Sequence, residues 1–349
     1  MTRTISVVVC SYNGAERLGR CLDALRMQSL PVEVLVVDDG SSDATASVAK
    51  SHGVNVVSHD RNRGIAASRN TGIATMKSDI VAFCDDDCEP GTDWTLKLSR
   101  VWEGAPTGTS AIGGTISVPN PSSLNTKYLS IFNPAQPLEI ELLYGPSFWY
   151  RIRRQFWTST TPDAGLRPVF SMIGANMSFD RLKVHSVGGF DEGLFFSEGE
   201  EAQIANSLRQ KFGDETVLVD PGIEMPHYFR PRLRDTFKRS FVSGIGIERR
   251  WRKQGGLPSL RFSPAIVSLV FLANTPWSLE IAALAALATC YLIRFWGLIA
   301  GLQRFGPVAV LLPVVAVLDD VVCDLGFVTA IFQNAVSYTH LTLPTIYSV

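Results

Sequence analysis

Apolar positions in the first hundred residues switch between two periods. Ile5 to Cys10 is apolar except for Ser6 and reads as a buried strand. Leu18, Cys21, Leu22 and Leu25 then recur at helical spacing and predict one buried helix face. Val32 to Val37 is a second β-branched run, ended by Asp38-Asp39-Gly40. Ser42-Asp43 predicts the cap of a short helix that stops before Gly53. Val54 to Ser58 reads as a third strand, Gly64 to Met76 as a second long helix, and Ile80 to Cys84 as a fourth strand. Alternation of helices with continuously apolar strands predicts an α/β architecture: a doubly wound, mostly parallel sheet with helices on both faces.

In such sheets ligands bind at the carboxyl ends of the strands. Three predicted strand ends carry polar clusters: Ser11-Tyr12-Asn13, Asp38-Asp39-Gly40 and Asp85-Asp86-Asp87. The aspartate triplet carries the most information. Packing gives no reason for three like charges at the rim of a buried sheet. A hard divalent cation, Mn²⁺ or Mg²⁺, bridging to a diphosphate would supply one. A solvated acidic turn or helix cap is the structural alternative. Side chains alternate along an extended chain, so Asp85 and Asp87 are expected on one face and Asp86 on the other.

Charge narrows the classes. The chain has 32 Lys+Arg against 33 Asp+Glu, so nucleic-acid binding through bulk charge is not expected. Cysteines at 10, 21, 84, 88, 290 and 323 form no CxxC pair and no small disulfide framework. Cys84 and Cys88 flank the aspartates, but a zinc site would want further soft ligands. A reduced, cytosol-facing catalytic region is the simpler expectation. The first apolar run is too short for the core of a signal peptide.

Several motifs occur in order. They are Val7-Val8-Val9-Cys10-Ser11-Tyr12-Asn13, Val36-Val37-Asp38-Asp39-Gly40-Ser41-Ser42-Asp43, Asn62-Arg63-Gly64-Ile65-Ala66-Ala67-Ser68-Arg69-Asn70, the aspartate triplet, and Gly188-Gly189-Phe190-Asp191-Glu192. Together, over roughly residues 4–250, they resemble glycosyltransferase family 2, which has the GT-A fold. The resemblance implies a nucleotide-diphosphate sugar donor (UDP-, dTDP- or GDP-linked) and inversion at the anomeric carbon. It implies that Ser11, Tyr12 and Asn13 line the nucleotide, with Tyr12 or Asn13 on the base, and that Asp39 or Asp38 accepts a base N–H. By the same resemblance Arg69 approaches the nucleotide, Asp85 contacts ribose with Asp86 beside it, and Asp87 ligates the metal, helped by Asp85 and His227. Gly174 and Asn176, in Ile173-Gly174-Ala175-Asn176, match the segment before the acceptor region. Contact with donor or acceptor and plain packing are both open for Asn176.

The family base is usually the Asp of a Glu-Asp pair. Here Gly199-Glu200-Glu201 stands instead. Glu201 takes the position of the base, with Glu200 and Asp191 as the other candidates. Glu for Asp adds a methylene and demands a shifted acceptor hydroxyl. Ser197 to Glu200 also fits a capping box, with the Ser197 hydroxyl capping the helix and Glu200 reaching back. A dehydrogenase is disfavoured because no GxGxxG follows the first strand.

Beyond about residue 250 the pattern changes. From Arg230 to Arg261 ten Lys/Arg stand against Asp235 and Glu248. Pro264 to Leu292 then has Glu280 as its one charged residue, and 307–332 is apolar around Asp319, Asp320 and Asp324. The expected organisation is a GT-A domain at 1–250, with a nucleotide half to about 100 and an acceptor half from about 101. A basic juxtamembrane segment at 251–263 and a membrane region of two spans at 264–335 follow. A single span with a re-entrant hairpin and a buried helical domain are the alternatives. Residues 336–349 lose the pattern and read as an adventitious tail. Phe148 to Trp157 mixes aromatic and basic residues, as a membrane interface or a lipid-phosphate acceptor site would, or as a buried amphipathic helix would.

The expected function is transfer of a sugar to a lipid-linked or polysaccharide-precursor acceptor, with the catalytic domain facing the cytoplasm at the inner membrane. Ile247-Glu248-Arg249-Arg250-Trp251 half-resembles the Gln-x-x-Arg-Trp signature of processive synthases and keeps that reading open. Loss of the usual Asp base keeps open a non-catalytic nucleotide-sugar-binding membrane protein.

Overall fold

The computed structural model describes residues 3–132, 165–194, 199–254 and most of 281–337. Phe148–Trp157, Ser197, residues 255–280 and the tail after 337 lie outside the described residues.

The first third follows the hydrophobic pattern closely. Strands β1 (Ile5–Ser11), β2 (Glu33–Asp38), β3 (Asn55–Ser58) and β4 (Ile80–Asp85) alternate with helices α1 (Ala15–Arg26), α2 (Thr45–Ser51) and α3 (Ile65–Thr75). Helix α4 (Trp94–Gly104) comes next, then β5 (Ala111–Ser117), α5 (Leu124–Phe132), β6 (Arg167–Pro168), β7 (Asn176–Asp180), α6 (Arg181–Ser186), α7 (Glu200–Phe212) and β8 (Val217–Pro226). The sheet order is β3-β2-β1-β4-β7-β5-β8-β6. Strands β1 to β4 pair in parallel, as expected. Strand β7 runs antiparallel between β4 and β5, so the sheet is mixed rather than mostly parallel throughout.

Period-two alternation splits the core in two. Val7 and Val9 of β1 pack with Leu18, Leu22 and Leu25 of α1 on one face. Val8 and Cys10 pack with Ala66 and Ile73 of α3 and Ile204 of α7 on the other. This double cover makes continuous apolar strands stable, since neither face meets water. Register then aligns the strand ends: Ser11 pairs with Asp38 and Cys10 with Asp85. Strands β2 and β4 flank β1, so their terminal carboxylates sit about 10 Å apart, two strand spacings.

The C-terminal helices correct an expectation. Helices α8 (Leu233–Gln254), α9 (Phe295–Phe305) and α10 (Leu312–Ser337) close the described chain. No helix among the described residues is long and apolar enough to cross a membrane. The second expected span is largely α10, and its aspartates explain why it is not one. Asp319 is fully buried and accepts hydrogen bonds from the hydroxyls of Tyr128 on α5 (2.9 Å) and Ser240 on α8 (2.5 Å). Asp320 pairs with Arg294 at 2.7 Å. These groups dock α10 onto protein, and hydrocarbon would leave them without partners. The helices approach closely: a Cβ on Gly244 would overlap the Cys323 carbonyl, and one on Gly326 the Phe241 carbonyl. Most of the first expected span lies outside the described residues. Glu248 is buried and paired with Arg252, and Trp251 packs on Phe327 of α10, so these two residues of the half-signature serve the helix pair.

Asp319→Ala removes the shared acceptor of two buried hydroxyls and is expected to cost about 3 kcal/mol. Urea unfolding measures it; an unshifted midpoint would count against docking of α10 through Asp319.

Candidate functional site

The three strand ends meet as the alternation requires. Asp86 turns back into the fold. Its carboxylate takes a bidentate pair from Arg17 of α1 (3.0 Å to each oxygen) and a hydrogen bond from the Ser11 hydroxyl (2.5 Å). Ser11 and Asp86 are therefore structural, which corrects their assignment to the nucleotide. Asp85 is left without a hydrogen bond to its carboxylate among the described residues, and Asp87 faces His227. The turn is held in place by Tyr228 N–H donating to the Asp87 carbonyl and Glu89 N–H to Pro226.

The Asp87–His227 pair fits a divalent cation. His227 Nε2 lies 3.2 Å from Asp87 Oδ1, close to the roughly 3 Å between neighbouring ligands of an octahedral ion bound at about 2.1 Å. Its Nδ1 is buried and has no hydrogen-bond partner, and the ring stacks on Phe229 with centroids 4.0 Å apart. Burial pushes the His227 imidazole down to about 4, so it is neutral at pH 7 and its lone pair is available. Burial pushes Asp85 up to about 6 against the pull of Arg69. Burial and the Asp86 charge do the same to Asp87. Two carboxylates that resist ionisation where they stand are what a cation would relieve. Cys88 also approaches this pair, a proximity the sequence spacing did not reveal. Burial holds its thiol up at about 12, so it is protonated and a poor ligand beside the other two.

The nucleotide rim is partly as expected. Tyr12 is 42% exposed and open to a ligand. Asn13 is committed to the fold: with φ +48° it donates its N–H to Ser41 Oγ and accepts from Ser42 N–H. Asp38 accepts from Ser41 N–H and the Ser58 hydroxyl. Asp39 accepts from Arg63 N–H (2.9 Å) and Gly64 N–H (2.8 Å), and its Oδ1 lies 2.6 Å from His59 Nδ1. His59 in turn reaches Thr71 at 2.9 Å and braces Asp39 from behind, a role with no sequence signal. A carboxylate offers about four acceptor positions, so Asp39 keeps one, on Oδ2.

The acceptor side is organised by Arg69. Its guanidinium is 3% exposed and donates to Glu200 Oε1 (2.8 Å) and Glu201 Oε1 (3.4 Å). Burial pulls its pKa down, but Glu201, Glu200 and Asp85 outweigh that and hold it above its ordinary value. Arg69 therefore positions the two glutamates, which corrects its assignment to the nucleotide. Helix α7 begins at Glu200 behind Gly199, which replaces the expected capping box with a backbone turn. The Glu200 side chain is 5% exposed and Glu201 20%, so Glu201 is the more accessible candidate base. Asp191 accepts from Gly193 N–H within the Gly-Gly-Phe-Asp-Glu turn, which Asn70 ties to α3 through Phe190 and Glu192. Gly174 supplies room: a Cβ there would overlap Arg69 Nη2 and Glu201 Oε1. Asn176 touches no pocket. It is 2% exposed, donates to the carbonyls of Thr115 and Ile223 and accepts from Trp94 Nε1, joining β5, β7, β8 and α4.

This fold, with carboxylates at the β4 end and a glutamate pair opposite, defines a GT-A glycosyltransferase domain. Residues 6–170 match the sequence model for Glycosyl transferase family 2, and the chain carries a domain of that family. Glycosyltransferase AglE of Haloferax volcanii is 34% identical over 139 residues, 37% of this chain and 45% of that protein. Glucosyl-dolichyl phosphate glucuronosyltransferase of the same organism is 28% identical over 225 residues, 61% of this chain and 66% of that protein. The chain spans less than half the length of the first curated relatives it matches. The mannosyltransferase PcManGT of Pyrobaculum calidifontis, solved with GDP-Man and Mn²⁺, shares the fold at a TM-score of 0.54 and 19% identity, covering 93% of this chain and 88% of that one.

Asp87 has a folded pKa raised above the unfolded value of about 3.9. Its contribution to stability is full below pH 4 and lost as pH rises through about 6. Without metal, Asp87→Asn is therefore expected to match the wild type near pH 4 and exceed its Tm above pH 6. Adding Mn²⁺ at pH 7.5 should reverse the order by stabilising the wild type alone. A Tm difference that ignores both pH and Mn²⁺ would remove Asp87 from the site.

Proposed function

We propose that this chain is an inverting glycosyltransferase. It moves a sugar from a nucleoside-diphosphate donor to a hydroxyl of a lipid-linked or polysaccharide-precursor acceptor. The observation that carries this reading is the division of labour in the aspartate triplet. Asp86 is locked to Arg17 while Asp85 and Asp87 stand open beside a neutral histidine. A Mn²⁺ or Mg²⁺ ion held by Asp87 and His227, with Asp85 alongside, supplies charge neutralisation at the donor diphosphate. Tyr12 offers an aromatic edge to the base and Asp39 its remaining acceptor position. Glu201 accepts the proton of the attacking hydroxyl, held at the required angle by Arg69.

A lipid-linked acceptor is supported by two things. One is the dolichyl phosphate substrate in the name of the 28% relative. The other is the apolar surface of the C-terminal helices, where Leu284 (65%), Leu292 (72%) and Trp296 (67%) are exposed beyond the basic stretch at 230–261. Such a surface lies on a bilayer without crossing it, with its cations against anionic lipid. That arrangement places the domain at the cytoplasmic face of the inner membrane.

With UDP-, GDP- and dTDP-sugars and Mn²⁺, membranes carrying the protein are expected to release free nucleotide. Glu201→Gln should lower kcat by about 10²–10⁴-fold with little change in donor affinity. Turnover that survives Glu201→Gln would move the base elsewhere. Binding of a nucleoside diphosphate with no turnover on any acceptor would favour a non-catalytic role. Leu292→Glu with Trp296→Glu is expected to abolish co-sedimentation with anionic phospholipid vesicles; undiminished sedimentation would displace the lipid surface from this face.

A further inference from the structure

Three arginines surround the acidic turn, and two are committed. Arg17 holds Asp86, and Arg69 holds Glu200 and Glu201. The third, Arg239, enters from α8, outside the stretch that matches the family. Its guanidinium makes no hydrogen bond and no ion pair among the described residues, and its Nη2 is buried without a partner. It lies over the Phe229 ring, 5.0 Å from the centroid, and Phe229 stacks on His227, the residue facing Asp87. The aromatic face secures the cation and leaves its donor edge unbonded. The position is fixed from behind, because the next residue, Ser240, donates to buried Asp319. The Arg239 charge is felt at both Asp87 and His227, though burial is the larger influence on each. A planar, permanently charged fork with idle donors at this point is built for an oxyanion.

We propose that Arg239 is a phosphate-binding residue of the active site, taking the oxygens of the donor diphosphate as that group departs. The inference rests on the function proposed above. During transfer the bond from the anomeric carbon to the diphosphate oxygen breaks, and its electron pair stays on that oxygen. The acceptor oxygen forms the new bond and its proton goes to Glu201. Arg239 meets the negative charge that gathers on the departing diphosphate. Its place beside Asp87 and His227, rather than beside Glu201, assigns it to the donor's phosphates and not to a phosphate of the acceptor. The C-terminal helices thereby complete the site: α10 sets α8, and α8 delivers the cation.

Calorimetry on the full chain with Mn²⁺ tests this, using UDP, GDP and dTDP as probes alongside the corresponding nucleosides. Arg239→Ala is expected to weaken the diphosphate that the wild type binds by about 10–100-fold. Nucleoside binding should stay unchanged, and so should Tm, since no bond within the fold is lost. Arg239→Lys should recover part of the affinity, and kcat of Arg239→Ala should fall about 10²-fold or more. If the alanine variant does not fold, Arg239→Gln is read in its place. Wild-type affinity for the diphosphate in either uncharged variant overturns the inference and leaves the proposed function standing. Unchanged diphosphate affinity with a raised KM for a lipid-phosphate acceptor also overturns it and reassigns the arginine to the acceptor. A wild type that binds none of the three diphosphates defeats both.

Discussion

The bidentate ion pair between Arg17 and Asp86 is the constraint from which the site follows. Three adjacent carboxylates at the end of a buried strand repel one another, and the fold resolves this by alternation. The middle group is pulled inward, neutralised by a guanidinium and bonded by Ser11. Its neighbours are thereby directed outward together. Their charge is left unneutralised by any direct partner except His227, and burial makes that charge costly. The cost is carried by the rest of the core, in which α1 is anchored through Leu18, Cys21, Leu22 and Leu25. Arg17 can hold Asp86 only because that helix face is already fixed against β1.

Across the cleft a second buried ion pair does comparable work. Arg69 stands on α3 and reaches the first turn of α7, joining elements far apart in sequence. Removing one partner from such a pair leaves a buried charge uncompensated, which typically costs several kcal/mol. The arrangement makes Glu200 an anchor and leaves Glu201 at the open side. Gly174 belongs to the same arrangement, because a side chain there would fill the space where arginine and glutamate meet. The donor side and the acceptor side thus rest on two arginines that face inward.

The C-terminal helices change meaning when their polar groups are followed. By composition, 307–332 reads as lipid-facing with awkward aspartates. In the fold those aspartates are the reason the helix is where it is: Asp319 gathers hydroxyls from α5 and α8, and Asp320 holds Arg294. The remaining apolar side chains face outward as a surface. A helix can therefore be apolar enough to meet lipid and still be docked to its own domain by one buried acid.

Much was legible in the sequence because it is local. Strand and helix periods gave the alternating units, and the ends of β1, β2 and β4 marked the ligand rim, since parallel strands carry their carboxyl ends to one edge. The two-residue repeat of a strand separated Asp85 and Asp87 from Asp86. Other features depend on residues brought together from distant positions, and no spacing encodes them. Asn176 and Asn13 looked like ligand contacts and proved to be hydrogen-bond hubs of the fold; Arg69 looked like a nucleotide contact and proved to hold glutamates 131 and 132 residues away. His59 and Arg17 gave no signal at all. Polar residues have the same chemistry whether they face a ligand or the chain itself. The sequence determined which groups stand near the site, and only tertiary packing decided which of them were already bonded and which were left free to bind.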